Sequence, residues 1–132
     1  MTKHLISVMA FMLVTFAVQG FSHFLLNADH FAAMGFLRET PIMSMGFTVM
    51  IIQGFILSLA LSRWGPSQPS LRDAMIISLA FGLFLASYIV LTEPAKYTVP
   101  SILAWIRVEA TASATQFVLF GILLGLIHQK FA

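Results

Sequence analysis

No cysteine occurs among the 132 residues, which excludes disulfides, thiolate catalysis, Cys-ligated zinc, iron–sulfur clusters and dithiol redox chemistry. Charge is nearly as scarce, at 9% of residues against 59% hydrophobic. A soluble domain carries about 25% charged residues, so this chain lacks the charge to cover a water-facing surface. The net charge is only +2, and no basic run exists to neutralise phosphates, which leaves a nucleic-acid role without support. With a mean hydropathy of +0.94, the chain reads as an integral membrane protein.

Four apolar stretches, 5–26, 44–61, 74–91 and 102–127, are long enough to cross a hydrocarbon core of roughly 30 Å, which takes about 20 helical residues. Their hydrophobicity is continuous rather than alternating, and helices satisfy their own backbone polar groups in lipid. The expected fold is therefore all-α: a single integral membrane domain, residues 1–132, forming a four-helix bundle with up-down topology. The first stretch has the basic start of a signal peptide in Lys3, but its apolar run is too long and Val18-Gln19-Gly20 is a poor cleavage site, so it reads as a retained helix.

An even number of spans puts both termini on one side, with Lys3, Lys130, Arg63 and Arg72; Arg38, Lys96 and Arg107 belong to the other. Four basic residues against three favours cytoplasmic termini by the positive-inside rule. The middle loop, RWGPSQPSLRD, breaks its helices with Gly65, Pro66 and Pro69, and Ser70 with Asp73 at N3 makes a capping box for the third helix. Glu93-Pro94 is read as ending that helix.

Small residues recur at four-residue spacing: Ser78, Gly82 and Ala86 on the third stretch, and Ala110/Ala114 and Gly121/Gly125 on the fourth. Such faces let helices approach closely in lipid. They serve either to close this bundle or to meet a partner chain, in a larger membrane complex or a homo-oligomer. A short echo, Gln-Gly-Phe, occurs at Gln19 and again at Gln53.

The polar residues are patterned. Thr15, Gln19, His23, Asn27 and His30 are spaced 4, 4, 4 and 3, which puts them on one helix face. Glu109, Ala112, Ser113, Gln116 and Phe120 form a matching seam on the fourth stretch. Polar groups in hydrocarbon face the bundle interior or a wet cavity, and an ionisable residue at that depth is a functional-site candidate. Apposing the two seams predicts an outward-facing polar pocket built from Gln19, His23, Asn27, Asp29, His30, Arg38, Glu39, Glu93, Arg107, Glu109 and Gln116. Glu109 is expected to pair with Arg107, His23 or His30. His23 and His30, seven residues apart, stand about 10 Å apart on a straight helix, too far to share one metal. No metal site is expected, and the sequence names no cofactor. His4 and His128 are set aside as residues of the membrane edge.

The stretch RETPIMSMGFTVMIIQGFIL, residues 38–57, resembles small uncharacterised bacterial four-helix inner-membrane proteins. Their pattern has an Arg…Glu-Pro-Ile turn, a glycine a few residues later and Gln-Gly inside the second helix, with looser similarity around Glu109 and Gln116. Thr40 separates Glu39 from Pro41 here, a departure from that pattern. The resemblance implies a multi-pass protein of the bacterial inner membrane and brings no activity with it.

The sequence supports two functional expectations. One is an accessory or interaction subunit, or a bundle binding a small lipid-like ligand, with membrane lipids as partners. The alternative is a membrane-embedded enzyme using acid–base chemistry by Glu109 and His23 or His30 on a lipid-soluble substrate. A transmembrane proton path finds less support, because the polar residues crowd the outer half.

Overall fold

The computed structural model describes residues 1–131; Ala132, the last residue of the expected domain, lies outside them. Helix accounts for 82% of the structure, with no strand among the described residues. In chain order the helices are α1 (Thr2–Leu26), a short α2 (Ala28–Ala32), α3 (Met43–Trp64), α4 (Leu71–Lys96) and α5 (Ile102–Lys130). All except α2 are long and apolar enough to cross a membrane. Each runs a few residues beyond its apolar stretch at one or both ends, because polar residues such as Arg63, Arg72 and His128 stay helical.

The boundaries follow local chemistry. Ser70 and Asp73 form the expected capping box at the start of α4: the Ser70 N–H donates to the Asp73 carboxylate at 2.8 Å, and the Asp73 N–H to Ser70 Oγ at 3.2 Å. Ser101 caps α5 by accepting from the Ala104 N–H. α3 stops at Gly65, which turns extended and is followed by Pro66. One end of the bundle, the termini end, carries Met1, the 65–70 loop and Lys130. The far end carries residues 27–42 and 97–101.

Neighbouring helices run antiparallel. α5 packs most extensively on α4 and also on α1, α1 packs on α3, and α3 meets α4 less extensively. The small-residue faces explain the tightest contact. A Cβ on Gly82 would stand 2.5 Å from the Phe117 ring, one on Gly121 2.7 Å from Met75 Sδ, and one on Gly125 2.7 Å from Leu71. Ser78 adds a hydrogen bond of 2.6 Å to the Phe117 carbonyl. Gly82, Gly121 and Gly125 are therefore filled within one chain, whereas Ala86, Ala110 and Ala114 of the same stripes line an apolar cleft of about 470 Å³. Gly54 is filled in the same way where α1 meets α3, near Val8 and Phe11.

The core is a dry layer at mid-height, made of Phe11, Leu57, Leu61, Phe117, Phe120 and Leu124. Phe11 meets Phe120 edge-on at 4.8 Å between ring centroids and Phe117 at 6.1 Å. Leu13, Leu83 and Phe84 are among many large apolar side chains that point outward, as a bundle solvated by lipid requires.

Gly82→Ala is expected to lower stability by about 1–3 kcal/mol through overpacking against Phe117. Gly20→Ala and Gly46→Ala, where a Cβ meets nothing within 4 Å, are expected to be neutral or mildly stabilising. Unfolding free energies in detergent micelles check both outcomes.

Candidate functional site

The polar seams meet first at mid-membrane. Gln19 Nε2 donates to Gln116 Oε1 at 2.8 Å, and Gln116 Nε2 donates to Thr15 Oγ1 at 2.9 Å. One glutamine of α5 thus joins two polar residues of α1 that lie a turn apart. Gln116 is buried, so each bond replaces water that the site cannot offer. Gln53, the other glutamine of the repeated tripeptide, makes no such bond and lines an apolar cleft with Phe81 and Phe84 instead.

Above Gln19 the seam divides. α1 is regular through Phe21 and then takes one π-helical turn, Ser22–Leu26. Asn27 closes that turn with its N–H on the Ser22 carbonyl at 2.9 Å and its side-chain amide on Ser22 Oγ at 3.0 Å. A π turn adds a residue and rotates the rest of the helix, so the spacing of 4, 4, 4 and 3 no longer describes one face. His23 bonds the Gln19 carbonyl at 2.9 Å and stacks on Phe31 with ring centroids 3.7 Å apart. It lines a cleft of about 680 Å³ with Phe24, Arg38, Glu39 and Met45. Asn27 lines a different cleft with Arg107. His30 packs near Trp105, its Nε2 enclosed without a partner among the described residues. Asp29 is exposed.

α4 has its own π turn, Tyr88–Thr92, and continues through Glu93–Lys96. Glu93-Pro94 therefore does not end the helix as the sequence suggests. In the π register the Glu93 N–H reaches the Tyr88 carbonyl, and residue 94 would reach Ile89. Proline has no N–H. The Ile89 carbonyl accepts the indole N–H of Trp105 instead, at 3.0 Å. Trp105 thus pins α5 to the broken register of α4, a role that sequence reasoning missed. No local signal marks it, since Trp105 and Pro94 lie on different helices.

Glu109 lies one turn below Trp105. It is 6% exposed and forms neither a hydrogen bond nor an ion pair among the described residues. Its charged neighbour is Glu93, not Arg107, His23 or His30. Arg107 is two residues away, on the exposed face of α5, where it lines a cleft of about 830 Å³ between α1 and α5. The other walls of that cleft include Val18, Phe21, Asn27, Val108 and Thr111. The expected single pocket is therefore three places: the Gln19–Gln116 junction, the His23–Arg38–Glu39 cleft and the Arg107–Asn27 cleft, with Glu109 buried between helices and Glu93 half-buried. Among the described residues no three His, Asp or Glu side chains cluster closely enough to hold a metal ion.

No known family model, curated protein or solved structure matches the chain. Its chemistry therefore rests on its own residues.

Trp105→Phe is expected to cost about 1–3 kcal/mol, since it leaves the Ile89 carbonyl unpaired. In a Pro94→Ala background, where residue 94 regains an N–H, that cost shrinks. A double-mutant cycle on unfolding free energy measures the difference, and equal costs in both backgrounds contradict the assignment.

Proposed function

We propose that this multi-pass membrane protein binds an anionic lipid, or a lipid-like molecule with an acidic headgroup, in the cleft between α1 and α5. The observation that carries the proposal is the make-up of that cleft: walls mainly of apolar side chains, with Arg107 and Asn27 among the lining at the far end. Its volume of about 830 Å³ falls in the range of small-molecule sites. A guanidinium presents a planar fork that suits phosphate, and its stem lies along apolar surface while the head reaches the interface. An acyl chain can enter sideways from the bilayer.

The small-residue stripes weigh less for an accessory subunit than for this reading, since Gly82, Gly121 and Gly125 are occupied by contacts inside the chain. The enzyme reading draws on one observation, the enclosed and unpartnered Glu109. It loses support from His23, whose ring is stacked on Phe31 and which lines the other cleft. The resemblance at residues 38–57 and the excess of basic residues at the termini end support placement in a bacterial inner membrane with cytoplasmic termini.

Native mass spectrometry of protein extracted from mixed zwitterionic and anionic bilayers tests the proposal. A retained anionic phospholipid is expected, lost in Arg107→Gln and kept in Lys130→Gln. Equal retention in both variants contradicts it.

A further inference from the structure

A second polar cluster lies at the termini end, across the dry layer from the clefts above. Ser58 Oγ on α3 is 2.9 Å from His4 Nδ1 on α1 and 2.8 Å from His128 Nε2 on α5. The two imidazoles meet edge to face with centroids 6.0 Å apart. Ser58 is fully buried and His128 is 1% exposed, whereas His4 is only partly covered. Three further polar atoms are enclosed without a partner among the described residues of these helices: Ser7 Oγ on α1, Ser62 Oγ on α3 and His128 Nδ1 on α5.

A serine hydroxyl has one proton and two acceptor lone pairs, so when that proton is donated to one imidazole the other imidazole donates to the oxygen. The chain of bonds therefore has a direction, and either direction satisfies it. Ser58 is too enclosed to attack a substrate carbonyl, which leaves proton transfer as the chemistry this arrangement can perform.

We propose that His4, Ser58 and His128 form a proton-exchange relay that opens to the aqueous phase at the termini end. A proton arrives at His4 Nε2. The His4 Nδ1 proton passes to Ser58 Oγ as the Ser58 hydroxyl proton passes to His128 Nε2. His4 returns to neutral and His128 becomes the imidazolium, whose Nδ1 has no partner among the described residues. One proton enters and one is passed to His128, and the direction of the chain is reversed. The charged groups that act on the pair are Lys3, which acts on both rings, and the N-terminal amine, which acts on His4. Lys130 lies two residues beyond His128, Arg63 and Arg72 are exposed, and Asp73 is engaged by Ser70. No carboxylate shares the cluster among the described residues and its charged neighbours are cations, so a proton on His128 is exchanged rather than kept. The relay ends at Phe11, Phe120 and Leu124, which are fully buried and apolar.

The test is solution NMR of ¹⁵N-histidine-labelled protein in lipid nanodiscs, reading the exchange of His128 ring protons with water. Ser58→Ala and His4→Gln are each expected to slow that exchange about tenfold or more, while Ser58→Thr, which keeps the hydroxyl, stays within about twofold. Unchanged exchange in either Ser58→Ala or His4→Gln overturns the relay, because the route needs both groups. If the backbone amide spectrum shows that Ser58→Ala disturbs the fold, His4→Gln against Ser58→Thr decides the matter.

Discussion

A polar side chain inside a hydrocarbon slab must find its partner within the bundle, and α1 finds its partners on α5 and, at Ser58, on α3. Gln116 collects Gln19 and Thr15 near mid-membrane, and His128 meets His4 through Ser58 at the termini end. Those two junctions fix how far α1 is rotated and how deep it sits against α5. The glycine contacts set how closely α4 approaches from the other side. With both settled, the clefts are what remains between helices that cannot close further.

Between the junctions lies the aromatic and aliphatic layer of Phe11, Phe117, Phe120, Leu57, Leu61 and Leu124. From Ser7 to Thr15 along α1 the interior is apolar for two turns of helix, about 12 Å. The layer divides the interior into two polar ends of different character. The termini end holds a proton-exchanging pair of histidines. The far end holds a guanidinium over an apolar cleft and an enclosed carboxyl. A single continuous path does not describe either.

Much of this was legible in the sequence. Continuous apolar runs mark four spans because lipid demands helices, and the Ser70–Asp73 box and the Gly65-Pro66 break mark the turn between α3 and α4. Gln19 and Gln116 stand out because an amide in an apolar 20-mer needs an explanation. The rest was hidden for two physical reasons. The bonds that organise the termini end join residues 54 and 70 positions apart, and no spacing along one helix reports a contact between helices. The π turns after Phe21 and Ser87 break the 3.6-residue period on which the face assignment of His23, Asn27 and His30 relied. Glu93-Pro94 looked like a stop because proline usually ends a helix, and nothing local foretold that the indole of Trp105 would take the vacated carbonyl.

The most direct test is a double-mutant cycle on Gln19 and Gln116, read as unfolding free energy in detergent micelles. If α1 is positioned by its bonds to α5, Gln116→Leu alone costs more than Gln19→Leu, since it orphans Thr15 as well as Gln19. The double variant then costs less than the sum of the singles by about 1 kcal/mol. Strict additivity would show that the two amides do not depend on each other and would contradict the central claim.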